Sequence, residues 1–233
     1  MGRAPRSQIA NGVYHVNTVG AGGIDIFLDV EDRQRFIRIL AYVTGKCGWR
    51  CHLYCLMTTH YHLVVTTPEP NIAALIHVLN GLYASTFNTR HERKGHLFGA
   101  RYHAELVVTE EHAIAVCSYV PLNPCRAGLC EQPELWPWSS YAATLGLKKH
   151  PWFLDDQWVL DLFDDRDFEA ARRRYRRHVA SILLAELGVS SQRTSHLGVP
   201  GTVEEAAPLR PRARGRRTLA RSGRRGLAPP GGE

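Results

Sequence analysis

The run Leu56-Met57-Thr58-Thr59-His60-Tyr61-His62-Leu63-Val64-Val65 places two imidazoles two residues apart inside a strand-like stretch. Strand side chains alternate, so His60 and His62 share one face while Tyr61 and Leu63 take the other. Their Cβ atoms then lie roughly 6.5–7 Å apart, close enough for both rings to reach one metal ion. Alone, the pair equally describes two polar residues on the wetter face of a sheet. Tyr119 and Asn123 stand four apart on a predicted helix, which puts them on one face. If that helix packs beside the histidines, a phenol, two imidazoles and a carboxamide oxygen meet. Such a set suits phosphoryl transfer with a divalent cation, Mg2+ or Mn2+, on the imidazoles and the amide oxygen, and with the phenol attacking. A free tyrosine titrates near about 10, so it needs a neighbouring cation to become competent. Singly, Tyr119 also reads as a helix residue packed on a sheet, and Asn123 as a helix end before Pro124.

The elements that must position these residues follow from hydrophobic spacing. Val13 to Val19 alternates as a strand, and Gly20, Gly22 and Gly23 turn the chain. Asp29 caps a helix with Phe36, Ile39, Leu40 and Val43 on one stripe, ending near Gly45 and Gly48. Two strands, Trp49 to Met57 and His60 to Thr67, flank Thr58-Thr59. Asn71 caps a long helix with Ile72, Leu75, Ile76, Leu79, Leu82 and Tyr83 on one face. A strand from about Arg101 to Val108 precedes a helix capped by Thr109, running to Leu122 and closed by Asn123-Pro124. The order predicts an α+β, ferredoxin-like βαββαβ antiparallel sheet with helices on one face and an added helix carrying Tyr119. Residues 133–145 read as an aromatic extension, and 155–187 as helical. The expected divisions are a catalytic domain over 1–146, a helical extension over 147–188 and a disordered Arg-rich tail over 189–233.

The net charge of +7 is unevenly spread. From Val189 onward there are 9 arginines against 3 acidic residues, leaving 20 basic and 19 acidic residues in the body. The tail, rich in Arg, Gly, Pro and Ala, reads as solvated chain or as a polyanion-binding arm. The run Arg172-Arg173-Arg174-Tyr175-Arg176-Arg177 reads as a solvated helix face or, less simply, a phosphate-contacting one. No apolar stretch reaches membrane-span length and no secretory leader is visible, so a cytoplasmic protein with six reduced cysteines is expected. A zinc site on Cys47, Cys51 and Cys55 is disfavoured. On a regular strand Cys51 and Cys55 share a face but stand about 13 Å apart.

Several blocks in one order carry a resemblance: Tyr14-His15-Val16, Gly48-Trp49, Tyr54-Cys55-Leu56-Met57, His60-Tyr61-His62, Gly95-His96-Leu97-Phe98, Tyr119-Val120, Leu122-Asn123-Pro124, Arg126-Ala127-Gly128-Leu129 and Trp138-Ser139-Ser140-Tyr141. From about Val13 to Gly146 the chain resembles HUH-type single-tyrosine transposases of the insertion-sequence-200-like superfamily, in the REP-associated branch. The resemblance implies that His60 and His62 bind metal, Asn123 is the third ligand, and Tyr119 cleaves single-stranded DNA. It implies a 5′-phosphotyrosine link, a free 3′-hydroxyl, rejoining without ATP, and recognition of hairpin or palindromic repeats by a monomer or homodimer. Arg90, Arg93, Lys94, Phe98, Arg101 and Tyr102 are the candidate DNA contacts, combining charge with aromatic stacking. Three positions depart from the family pattern: Thr59 for Asn, Ser118 for Arg, and Pro121 two residues past the tyrosine. Proline there removes a helical hydrogen bond and threatens a kink. The departures leave a second reading open, a domesticated hairpin-DNA-binding protein that no longer cuts.

Overall fold

The computed structural model describes residues 8–99 and 102–189. Four strands, β1 (Gly12–Val19), β2 (Arg50–Leu56), β3 (His60–Thr67) and β4 (His103–Leu106), form one sheet in the order β2-β3-β1-β4. Every neighbouring pair is antiparallel. With α1 (Val30–Cys47) and α2 (Ile72–Arg90) crossing between strands, this is the expected βαββαβ sheet. β4 is shorter than the predicted 101–108.

Alternation sorts the two faces. Tyr14, Val16, Tyr61, Leu63 and Val65 join Phe36, Leu40, Ile76, Leu79 and Tyr83 in a core beneath α1 and α2. Val13, Leu53, Cys55 and Val64 form a second core with Val116, Cys117 and Val120 of α3 (Glu110–Arg126). Tyr141 of α4 (Tyr141–Thr144), Trp158 and Val159 of α5 (Gln157–Asp161), and Tyr175 and Val179 of α6 (Phe168–Val189) complete it. The histidine face is therefore covered by α3, which is what brings Tyr119 to it.

Side-chain caps start α1, α3 and α6. Asp29 accepts from the Asp32 N–H (3.0 Å), and Asp32 returns the favour by accepting from Leu28 N–H (2.9 Å). Thr109 accepts from the His112 N–H (3.1 Å). α1 ends on Gly48 at φ +67°, the left-handed position glycine takes without strain. The predicted Asn71 cap is not made. Its side chain forms no cap bond, and Gln8 accepts from Ala73 N–H (3.0 Å) in its place.

Three further expectations are corrected. A bulge between Cys51 and Leu53 reverses the alternation of β2, so Cys51 faces the first core and Cys55 the second. The two thiols do not share a face. The helical stretch after 155 is two helices, because Asp164 accepts from the N–H groups of Arg166 and Asp167 (3.0 and 3.2 Å) and turns the chain. Asp167 then caps α6 through Glu169 and Ala170 N–H. Finally, α3 does not stop at Asn123-Pro124 but continues to Arg126 through both prolines.

Candidate active site

β1 and β3 pair over eight residues, from Gly12↔Thr67 to Val19↔His60, with Asn17 opposite His62 and His15 opposite Val64. The turn before His60 is pinned by backbone bonds from Gly20 N–H to Thr59 O (2.8 Å) and Ile26 N–H to Thr58 O (3.0 Å). That fixes where β3 begins. His15, Asn17, His60 and His62 thus form one polar group on the α3 face, with the rings of His60 and His62 centred 5.0 Å apart.

His15 stacks on His62 with its Nε2 3.1 Å from His62 Nδ1, so one nitrogen is protonated and donates to the other. Thr59 Oγ1 stands 3.1 Å from His60 Nδ1. Thus the hydroxyl in place of the family's asparagine still meets the first motif histidine. Burial holds all three rings neutral. His15 titrates at about 4, lowered by burial and then by His103 and His112. His62 lies well below its ordinary range from burial, then His15 and His60, and His60 is lowered by burial alone. Neutral imidazole is the form that ligates metal.

Tyr119 extends from α3 edge-on to both rings, 5.8 Å from His15 and 5.5 Å from His62 between centroids. It stays 40% exposed, so a substrate can reach it. The Arg126 guanidinium lies 5.2 Å from its ring centre, two turns along the same helix. Arg126 is in turn gripped by Glu186 of α6 through two bonds of 3.1 and 2.6 Å. Ser118, where the family carries arginine, points back to Ile114 O (2.7 Å). A cation therefore does stand at the tyrosine, supplied from a different position.

Pro121 has no N–H to offer Cys117, four residues earlier, and Tyr175 of α6 donates to the Cys117 carbonyl instead (2.6 Å). Asn123 Nδ2 donates to Tyr119 O (2.8 Å) and lies 3.5 Å from Val120 O, the carbonyl that Pro124 leaves without a helical partner. The helix thus keeps its course through both prolines, and the tyrosine's direction is held.

A metal-ligand role fits this site on one observation. His62 Nε2 and Asn17 Oδ1, on directly opposed residues, are both buried with no hydrogen-bond partner. Unpaired buried polar atoms are costly, and a cation satisfies two at once. Among the described residues, no group of three or more His, Cys, Asp or Glu side chains is arranged as a metal cage.

The candidate DNA contacts are placed differently from one another. Arg90 is bound by Asp29 and Asp32 (both 2.6 Å), which neutralise it. Arg93 reaches Asn88 Oδ1 (3.3 Å) and Gly95 O (3.5 Å), and Lys94 is exposed. Phe98 and Tyr102 pack against the first core, Phe98 beside Tyr61 and Tyr83. Arg101 and the Arg-rich tail lie outside the described residues. The loop itself docks at the His60 end of the sheet, where Ala21 N–H bonds Leu97 O (2.9 Å).

The IS200-like transposase family model matches residues 11–123, a span that runs from the start of β1 through Asn123. These residues belong to the IS200-like transposase family. The transposase segment so defined contains every strand of the described residues, both sheet-crossing helices and the tyrosine. The fold is similar to a solved REP-associated tyrosine transposase bound to a REP hairpin, with TM-score 0.54 and 17% identity over 67% of this chain and 93% of that one. A Deinococcus radiodurans protein described as a transposase aligns at TM-score 0.37 and 19% identity, covering 52% of this chain and 94% of that one. No curated protein sequence matches the chain. Among the described residues, no helix is long and apolar enough to cross a membrane.

Sequence reasoning missed His15 and Asn17 as site residues, although their spacing in β1 mirrors His60 and His62 in β3. It also missed Arg126, seven residues along the helix from Tyr119, and Tyr175, whose contact arises only from packing between α3 and α6.

Proposed function

We propose that this transposase cleaves and rejoins single-stranded DNA through a phosphotyrosine formed on Tyr119. The observation that carries the reading is the accessible Tyr119 phenol standing edge-on to His15 and His62. Tyr119 Oη attacks the phosphorus of a phosphodiester, a new P–O bond forms, and the bond to the 3′ oxygen breaks. The phenol proton is lost and the departing oxygen gains one, leaving a free 3′-hydroxyl and a 5′-phosphotyrosine. Because one phosphodiester replaces another, a 3′-hydroxyl can reverse the step without ATP.

His60 and His62 would hold a divalent ion, Mg2+ or Mn2+, with an amide oxygen from Asn123 or Asn17 beside them. When bound, that ion supplies positive charge to the phosphate oxygens and to the nascent phenolate. The chain's own residues do the orienting. His15 accepts from His62 Nδ1–H and so leaves the Nε2 lone pair for the ion. Thr59 does the same at His60 Nδ1. Arg126, over the Tyr119 ring, favours negative charge arriving there.

The DNA reading draws on the hairpin carried by the similar solved structure. A folded single strand would cross the His60 end of the sheet, where Arg93 and Lys94 add charge and Phe98 and Tyr102 stiffen the loop. Arg90, paired with two aspartates, would serve the loop's position more than the DNA. Residues 1–146 would form the catalytic unit, braced by 147–188.

The test incubates the full chain with end-labelled hairpin DNA bearing a single-stranded flank, with Mn2+ or Mg2+. A denaturant-resistant protein–DNA adduct, lost in Tyr119→Phe, is expected. Tight hairpin binding without an adduct under either metal would overturn cleavage and leave a non-catalytic hairpin-binding protein.

A further inference from the structure

We propose that the outer face of α6 is a phosphodiester-binding site built on Arg173 and Arg177, with Arg176 at its edge. The proposal rests on the DNA reading above and adds to it a surface outside the matched family segment.

The five arginines of 172–177 are not equivalent once folded. Arg172 is tied to Glu169 and to the Thr144 carbonyl, Arg174 to Asp164 and the Phe163 carbonyl, and Arg176 to Glu134. Among the described residues, Arg173 and Arg177 make no ion pair. Among the described arginines they share that property with Arg33 and Arg93, and the lysines Lys46, Lys94, Lys148 and Lys149 share it too. Arg33 lies over the Phe27 and Trp138 rings, and Arg93 is held at Asn88 and Gly95. α6 therefore carries two unpaired guanidinium groups on one exposed face.

Arg173 and Arg177 are one helical turn apart on the same face. With Arg176 they line an open hollow of about 440 Å³, and no described carboxylate lines it. Like charges at this spacing repel, and a bound anion relieves the repulsion. Guanidinium forks match phosphate oxygens geometrically, two bonds at a time. Elsewhere on the same helix, Tyr175 donates to the Cys117 carbonyl of the Tyr119 helix and Glu186 accepts from Arg126. One helix thus presents phosphate ligands outward while bracing the nucleophile inward, so DNA held on it is held rigidly relative to Tyr119.

The experiment measures binding of the full chain to fluorescently labelled hairpin DNA over a series of salt concentrations. It compares Arg173→Gln/Arg177→Gln with a charge-matched control, Lys148→Gln/Lys149→Gln, on the exposed turn after α4. Each lost phosphate contact should lower the slope of log K against log salt by about 0.7–0.9, so the arginine pair should flatten it by about 1.4–1.8. Affinity at low salt should fall by at least tenfold, equally for hairpins of different sequence. A slope matching the lysine control would overturn the proposal and leave the contacts to the tail and loop. If the unmodified chain fails to bind the hairpin at all, the DNA reading falls first and the proposal with it.

Discussion

The hydroxyl of Tyr175 donates to the carbonyl of Cys117 at 2.6 Å, the acceptor that Pro121 cannot serve. A residue of the C-terminal helix thus repairs the helix that aims Tyr119. Tyr175→Phe strands a buried carbonyl and should destabilise the protein by about 1–3 kcal/mol in urea unfolding. It should also slow adduct formation at temperatures where the variant is fully folded. Adding Pro121→Ala restores the missing N–H, so the double variant should recover most of both losses. A double variant no better than Tyr175→Phe would show that the pair is not coupled.

The contact between His15 Nε2 and His62 Nδ1 predicts an effect on metal affinity. His15→Phe removes the acceptor and should weaken Mn2+ binding by roughly 10- to 100-fold, read by calorimetry on the DNA-free protein. His15→Gln keeps an acceptor and should sit closer to the unmodified chain. Equal affinity in all three would mean that His15 only fills space.

Asn17 and Asn123 make opposite demands. Asn17 Oδ1 is buried without a partner, whereas Asn123 Nδ2 is bonded to its own helix. Asn17→Ala should therefore cost more Mn2+ affinity in the free protein than Asn123→Ala. The reverse order would place the amide ligand on α3.

Stability should depend on pH in a definite direction. Burial holds His52 and His15 neutral, each titrating at about 4 against an ordinary value near 6.5. His52 is fixed between Asp155 O and Thr66 Oγ1, both at 2.7 Å. Below about pH 6.5 the unfolded chain binds protons that the folded chain refuses, so stability is complete above that value and lost as pH falls toward 4. Each ring contributes at most about 1.4 kcal/mol per pH unit in that window. Urea unfolding of His52→Gln should show a shallower acid slope than the unmodified chain. An identical slope would remove His52 from the account.

Much of this was legible in residue spacing. Alternation across His60-Tyr61-His62 predicted which side chains share a face, and caps at Asp29 and Thr109 marked their helices correctly. The bulge at Cys51/Leu53 was not legible, because one inserted residue leaves the hydrophobic pattern intact while reversing the faces after it. Nor was the continuation of α3 past Pro124. Proline rules judge a helix by its own N–H groups, and here Tyr175, more than fifty residues later, supplies what Pro121 lacks. His15 could have been weighed from its place two residues before Asn17, but its partnership with His62 depends on strand register, which spacing alone does not set.

The central claim is that Tyr119 itself carries the DNA. The most direct measurement digests the denatured protein–DNA adduct with protease and nuclease and maps the modified peptide by mass spectrometry. The account predicts a nucleotide phosphate on Tyr119 and on no other residue of the chain. A nucleotide found on another side chain, or an adduct that persists in Tyr119→Phe, would contradict it.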